Sequence, residues 1–314
     1  MKNRPLPISR RPAIAGLLTL CLTIAWARAA FAAAAPTPLE VAYAGSMGAL
    51  MEQAVRPALA SALGAEFRGR AQGSTGLANL IVAGSIRPDV FIAVTPAPMR
   101  IVLDAHKADR AMPFARTAIV IAYSPRSRFA ADFARAGAPG ARPWWRILET
   151  PGIRFGRTDP RVDPQGLNII FTLALAANYY HQPDLAARIL GATVNPRQIF
   201  QEPEMMARLQ AGQLDASSAY ATEPAAYGLP FITLPAAINL GDAALESDYR
   251  HAAIALDGKT HHPAPLIFYA AALAAAPHPA LAARFVRWLG GADARAILAR
   301  YHYDGPGAAI PLTP

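Results

Sequence analysis

Four short segments of the chain share a pattern that suits anion binding. In each, a turn after a predicted strand is followed by a hydroxyl or acidic residue at the predicted start of a helix. Unpaired N–H groups and a partial positive charge at a helix start attract anions. Glycine allows close backbone approach, and serine can donate to an oxygen. The segments are Ala44-Gly45-Ser46, Gly73-Ser74-Thr75-Gly76, Asp163-Pro164-Gln165-Gly166 and Thr222-Glu223-Pro224.

Taken alone, each segment is better explained by plain helix capping than by ligand binding. Serine, threonine and aspartate are favoured at helix starts, and proline is favoured at the first helical position. A binding site therefore requires several of these segments to converge. In open α/β sheets, ligands bind beside the carboxyl ends of the strands, which is where these segments are expected.

Strand and helix patterns alternate along the chain and predict an α/β fold with a largely parallel sheet. Strands are predicted at 39–44, 65–71, 89–93, 117–123, 153–156, 215–220, 231–234 and 265–273. The two most apolar of these, 117–123 and 265–273, enclose a stretch of about domain size. We therefore expect a discontinuous first lobe, with a second lobe inserted and the chain crossing twice between them.

The first 32 residues predict a cleavable secretory signal peptide. Four basic residues precede an apolar run at 13–27, and Ala30-Phe31-Ala32 provides a small-x-small cleavage site. The only cysteine, Cys21, lies in that run, so cleavage would leave no disulfide or thiolate site.

Composition excludes several classes of protein. Hydrophobic residues make up 53% of the 314 residues and charged residues 16%, which is too apolar for a disordered chain and indicates one large or two medium domains. Five of the 30 basic residues and none of the 21 acidic ones lie within residues 1–32, which leaves a net charge of +4 after cleavage. This mild charge suits a small anion and does not indicate nucleic acid.

Motifs along nearly the whole mature chain resemble the molybdate/tungstate-binding proteins of ABC importers, including the archaeal-type group. In order, they are AYAGSMGALME, AQGSTGLANLI, RPDVFIA, FARTAIVIAYSP, PGIRFGRTDPRVDPQGLN, AGQLDASSAY and LPAAINLGD. The resemblance implies a type II periplasmic-binding-protein fold, with two α/β lobes joined by a two-crossing hinge. We expect lobe 1 at 37–119 and 272–314 and lobe 2 at 120–271.

The implied function is capture of molybdate or tungstate in the interlobe cleft of a periplasmic, monomeric protein. The expected partners are the small oxyanion and an ABC transporter permease. We expect no cofactor, no catalysis and no nucleic acid. By motif match, Ser46 and Ser74 would bind from lobe 1, and Asp163, Gly166 and Tyr220 from lobe 2.

The resemblance also implies that Asp163 helps complete six-fold coordination of the metal of the oxyanion. It places a second carboxylate one residue before the tyrosine, where this chain has Ala219. Glu223 is offset and is not assigned as its substitute. The sequence therefore favours a four-coordinate anion held by hydrogen bonds from neutral donors.

Three interpretations of Asp163 remain open, because a bare carboxylate repels a dianion. It caps its own helix and points away, or coordinates the metal directly, or accepts a proton from an anion such as hydrogen phosphate. Arg157 and Arg161 are near enough in sequence to neutralise it.

Two alternative functions are weighed against oxyanion capture. The first is a binding protein for sulfate, phosphate or an organic acid. The second is a secreted hydrolase using Ser46 or Ser74, but the sequence lacks a Gly-x-Ser-x-Gly elbow and shows no serine–histidine pairing. The adjacent His261 and His262 would point to opposite faces of a strand, which disfavours a zinc site.

Overall fold

The computed structural model describes residues 36–314, so the signal peptide predicted at 1–32 lies outside the described residues. In this part of the chain, no helix is both long enough and apolar enough to cross a membrane.

Five strands form one sheet: β1 Thr37–Ala44, β2 Ala65–Gln72, β3 Val90–Val94, β4 Met112–Arg116 and β11 Ile267–Ala272. Their order in the sheet is β2-β1-β3-β11-β4. β1 runs parallel to β3, with Val41 opposite Val90. β11, which comes from near the C-terminus, lies antiparallel between β3 and β4. Alternate residues of β3 enter different hydrophobic cores, so this sheet is buried on both faces.

Four strands form a second sheet: β5 Ile119–Tyr123, β6 Phe155–Gly156, β7 Ala216–Tyr220 and β8 Phe231–Thr233. Their order in the sheet is β6-β7-β5-β8. β5 pairs antiparallel with β7, which places Ile119 opposite Tyr220, and β6 pairs parallel with β7. A separate hairpin is formed by β9 Ile254–Leu256 and β10 Lys259–His261.

Helices connect the strands much as the pattern predicts. The segment after β1 is irregular: a 3-10 turn Gly45–Met47 and a single α-turn Gly48–Leu50 precede a π-helical stretch Met51–Val55 and the helix Arg56–Leu63. The other helices are Ser74–Val82, Pro96–Asp104, Ala130–Arg135, Trp144–Leu148, Pro164–Tyr179, Leu185–Leu190, Glu202–Gln210, Thr222–Ala226, Ala236–Asn239, Glu246–Tyr249, Pro279–Leu289 and Ala292–Arg300, with a 3-10 turn at Ala243–Leu245.

The chain passes between the two sheets along two adjacent segments. It leaves the first sheet after β4 and returns before β11, and Thr117 N donates to Leu266 O at 3.0 Å where the segments meet. Leu266 N donates in turn to the carbonyl of Leu240, which has a φ of 59°. A Cβ on Gly241 would lie only 2.7 Å from the Ala118 side chain. The LPAAINLGD motif therefore supports the crossing.

The pairing of β11 bears on where the lobes divide. All but the last residue of β11 falls in the range 120–271 predicted for lobe 2, yet this strand pairs with β3 and β4 of the first sheet. Sheet membership therefore places the return crossing before Ile267. The lobe bounds themselves stay a prediction.

Candidate functional site

Two serine hydroxyls from the first-sheet half are buried without a hydrogen-bond partner. Ser46 follows the end of β1, and Ser74 begins the helix after β2. Their side chains are 7% and 1% exposed, and neither Oγ has a partner within residues 36–314. Leaving a buried hydroxyl unpaired costs about 1–3 kcal/mol, so a ligand that accepts hydrogen bonds here would recover that cost.

Asp163 caps the helix Pro164–Tyr179 and also faces the other half of the molecule. Its Oδ1 accepts from Gln165 N at 2.9 Å, which confirms the capping role. Its Oδ2 lies 3.0 Å from the position that a Cβ on Gly73 would occupy. The carboxylate therefore packs against Gly73 of the other half, and its position relative to a ligand stays a prediction.

Tyr220, at the end of β7, is fully buried beside these groups. Its phenol oxygen accepts from Asn168 Nδ2 at 3.1 Å, which leaves the phenol hydrogen available to a ligand. Burial, reinforced by Asp163, raises the pKa of Tyr220, so the phenol stays protonated and can donate.

Glu202 supplies a second buried carboxylate that sequence analysis missed. It opens the helix Glu202–Gln210 and is 4% exposed. A Cβ on Gly45 would overlap its Oε2, and Gln165 Nε2 donates to its Oε1 at 3.2 Å. A sequence signal existed, because Glu202-Pro203 repeats the acid–proline start of Asp163-Pro164.

Glu223 adds a third carboxylate beside Glu202. Its Oε2 accepts from Gln165 Nε2 at 2.7 Å and from Tyr220 N at 2.9 Å. It is 4% exposed. The sequence predicts a helix start at Thr222-Glu223-Pro224 without a role for Glu223, and the structure joins this residue to the same cluster.

Burial dominates the electrostatics of these three acids. It raises the pKa of Asp163 to about 6 and that of Glu223 to about 8, and it raises the pKa of Glu202 as well. The nearby negative charges of Asp163 and Glu223 add to the rise at Glu202, and the backbone N–H of Ser46 offsets part of it. The cluster therefore favours cationic or electrophilic centres and groups that donate hydrogen bonds.

The two arginines considered as neutralising partners of Asp163 are engaged elsewhere. The buried Arg157 donates to Gln198 Oε1 and to the Ala192 carbonyl. Arg161 forms a bidentate ion pair with Asp159. No ion pair within residues 36–314 involves Asp163, Glu202 or Glu223.

Gly166 has a packing role in the structure. A Cβ at this position would overlap the carbonyl oxygen of Thr158 and lie 2.9 Å from Pro160 N. A glycine here lets the helix start approach the loop 158–160 closely. Its contribution to ligand binding stays a prediction, as do the binding roles of Ser46, Ser74, Asp163 and Tyr220.

Two cavities flank the cluster. One, of about 410 Å³, is lined by Ser46, Glu202 and Glu223 together with Tyr43, Glu52 and Tyr227. The other, of about 500 Å³, is lined by Thr75, Pro164, Asn168 and the β9–β10 hairpin residues Lys259 and His261. Ser74, Asp163 and Tyr220 are buried and line neither of these two cavities.

The two halves contact each other directly at this place. Gly76 N, in the helix after β2, donates to the carbonyl of Val162 at 3.1 Å. Within residues 36–314, no three side chains of the His, Cys, Asp and Glu types are arranged to hold a metal ion by themselves.

Comparisons with known proteins bear on the family and the fold of the chain. Residues 39–304 match the family model of bacterial extracellular solute-binding proteins. An uncharacterized solute-binding protein of Halobacterium salinarum is 31% identical to the chain, over 90% of the chain and 88% of that protein. The molybdate/tungstate-binding protein WtpA of Pyrococcus abyssi is 27% identical, over 61% of the chain and 60% of that protein. These relatives confirm the resemblance drawn from the motifs.

Among solved structures, the periplasmic molybdate-binding protein of Azotobacter vinelandii aligns with a TM-score of 0.56 at 16% identity. The alignment covers 84% of this chain and 98% of that one. At this identity, the likeness concerns the fold, and it confirms the predicted type II periplasmic-binding fold. The chain therefore belongs to the bacterial extracellular solute-binding proteins, a family of transport receptors and not of enzymes.

Proposed function

We propose that this protein captures molybdate or tungstate outside the cytoplasm, in the periplasm, and delivers it to the permease of an ABC importer. One observation carries the proposal. Two buried, unpaired serine hydroxyls, Ser46 and Ser74, come from one half of the molecule. Each follows a glycine that packs against a carboxylate of the other half: Gly45 against Glu202, and Gly73 against Asp163. The relatives named for molybdate and tungstate support the same ligand.

The hydroxyl donors match the chemistry of a tetrahedral oxyanion. A fully deprotonated molybdate offers only hydrogen-bond acceptors, and bonds from Ser46, Ser74 and Tyr220 to its charged oxygens are stronger than bonds between neutral groups. The contact between Gly76 and Val162 supports capture between two halves that close on the ligand by a hinge motion.

The two carboxylates closest to the first-sheet half, Asp163 and Glu202, favour molybdenum and tungsten over sulfur and phosphorus. In their ionised forms, these carboxylates repel a dianion unless they bind its central atom. Molybdenum(VI) and tungsten(VI) can expand from four to six oxygen ligands, whereas the central atoms of sulfate and phosphate stay tetrahedral. We therefore propose six-fold coordination of the molybdenum or tungsten atom. Glu202 would supply the second carboxylate, which the family pattern places at position 219, where this chain has alanine.

Calorimetric titration of the protein with molybdate, tungstate, sulfate and phosphate tests the proposed ligand. We expect one site with a Kd of roughly micromolar or tighter for molybdate or tungstate. Sulfate and phosphate should bind at least about a hundredfold more weakly, because their central atoms cannot accept the carboxylates. Equal or tighter binding of phosphate would contradict the assignment and would support proton donation from hydrogen phosphate to a buried acid.

A further inference from the structure

Gln165 contacts all three buried carboxylates of the candidate site. Its backbone N donates to Asp163 Oδ1 at 2.9 Å. Its side-chain Nε2 donates to Glu202 Oε1 at 3.2 Å and to Glu223 Oε2 at 2.7 Å. The residue is fully buried, so these bonds are shielded from competing water.

The orientation of the Gln165 amide is fixed by its neighbours. Nε2 has two hydrogens, and each is donated to a glutamate oxygen. Glu223 Oε2 also accepts from the backbone N–H of Tyr220, so this oxygen acts as an acceptor here. The carbonyl Oε1 lies 3.4 Å from Ser218 Oγ, which donates to it. A reversed amide would direct its oxygen at two carboxylates, so the observed orientation is the one that this pocket stabilises.

Glu223 extends the network to the strand that carries Tyr220. Its Oε2 accepts both from Gln165 Nε2 and from the backbone N–H of Tyr220. Gln165 and Glu223 thus connect three segments: the start of the helix Pro164–Tyr179, the start of the helix Glu202–Gln210 and the end of β7. Each of these segments carries one of the ligand-binding side chains that we propose.

We propose that Gln165 and Glu223 are a pair of positioning residues that hold Asp163, Glu202 and Tyr220 in the arrangement that the oxyanion requires. This inference rests on the function proposed above. The pair itself does not contact the ligand. Its effect is preorganisation, because ligand-bearing segments that are already joined lose less freedom on binding.

A purely electrostatic role for Glu223 makes the opposite prediction from a positioning role. If Glu223 mattered only as a negative charge near a dianion, both Glu223→Gln and Glu223→Leu would tighten molybdate binding. If it positions Tyr220 and Gln165, Glu223→Gln rescues binding, because the amide oxygen still accepts from both donors. Glu223→Leu then removes both bonds and weakens binding.

The experiment combines molybdate titration with molybdenum K-edge absorption of the full-length mature protein. We expect Gln165→Met and Glu223→Leu to weaken molybdate binding by roughly 10- to 100-fold. Both should also move the spectrum from six-coordinate towards the intense pre-edge feature of tetrahedral molybdate. Glu223→Gln should stay within about threefold of the unaltered protein and keep its spectrum.

Gln198→Met is the matched control. The Gln198 side chain accepts a hydrogen bond from Arg157 Nε and donates one to the Ile189 carbonyl. Neither bond involves a member of the carboxylate cluster. This variant should lower the unfolding temperature and leave the molybdate affinity and the spectrum unchanged.

Unaltered affinity and spectrum in Gln165→Met and Glu223→Leu, with normal binding by the unaltered protein, would overturn the positioning role alone. Tighter binding by both Glu223 variants would also overturn it. If the unaltered protein failed to bind molybdate, or bound it with a tetrahedral spectrum, the proposed ligand or its coordination would fail first and the positioning role with it.

Discussion

The carboxylate of Glu202 lies where a side chain on Gly45 would be. Gly45 follows a strand of the five-stranded sheet, whereas Glu202 lies between two strands of the four-stranded sheet. Glycine at position 45 therefore sets how closely the two halves approach at the candidate site. Gly45→Ala should displace Glu202 and weaken molybdate binding by roughly tenfold, since overpacking of this kind costs about 1–3 kcal/mol. Titration calorimetry measures the change.

Gly137→Ala provides the control for that substitution. Gly137 is exposed, and a Cβ there would meet nothing within 4 Å. Its affinity should equal that of the unaltered protein. Equal affinities for Gly45→Ala and Gly137→Ala would show that the approach of Gly45 to Glu202 does not matter for binding.

Ser46→Ala and Ser74→Ala should each weaken molybdate binding by roughly 10- to 100-fold, because hydrogen bonds to charged groups contribute about 1.5–3 kcal/mol. The same substitutions should leave the ligand-free protein as stable or slightly more stable, since each removes a buried hydroxyl without a partner. Titration and thermal unfolding together test both halves of this prediction. Ser247→Ala, at an exposed helical position, should change neither quantity.

Tyr220→Phe should weaken binding about tenfold through loss of the phenol donor. It also leaves the Asn168 amide without its acceptor, so the ligand-free protein should unfold at a lower temperature. This combination distinguishes Tyr220 from the two serines, whose removal costs affinity without costing stability. Unchanged affinity in Tyr220→Phe would remove this residue from the binding site.

The stability of the ligand-free protein should fall as the pH rises through the neutral range. Burial raises the pKa of Glu223 from 4.5 to about 8, so the folded state binds this proton more tightly than the unfolded chain. The resulting stabilisation is complete below pH 4.5 and is lost as the pH rises through about 8. Asp163, with its pKa raised to about 6, adds the same trend at lower pH.

Glu223→Gln isolates that contribution in thermal unfolding at several pH values. At pH 9 the variant should unfold several degrees above the unaltered protein, and at pH 4 the two should be nearly equal. The exposed Glu246→Gln should follow the unaltered protein at every pH. A difference between Glu223→Gln and the unaltered protein that does not vary with pH would contradict a raised pKa at Glu223.

Local pattern was sufficient to predict most of the fold. The apolar β-branched run at 117–123 and the segment 265–273 correspond to β5 and β11, because buried strands need continuous apolar residues whatever their partners. Partner choice is a long-range property. The sequence does not reveal that β11 inserts between β3 and β4, which is why the predicted lobe boundary at 271/272 splits this strand.

The candidate site was predictable where its residues repeat a local pattern. Ser46, Ser74 and Asp163 each stand at the start of a helix or 3-10 turn, and Gly73, next to Ser74, packs against Asp163. Glu202 was not predicted, because the family pattern places the second carboxylate beside the tyrosine in sequence. In the structure, the helix Glu202–Gln210 brings its first residue close to Tyr220 and Asp163 in space. Gln165 has no distinctive sequence signal, and its role follows only from the three carboxylates around it.

The most direct test of the account is the position of the heavy atom in crystals of the protein grown with tungstate, located from anomalous scattering at the tungsten edge. We expect one strong peak enclosed by the Ser46 and Ser74 hydroxyls, the Asp163 and Glu202 carboxylates and the Tyr220 phenol. A peak in the cavity beside Lys259 and His261 instead, with none among these five side chains, would contradict it.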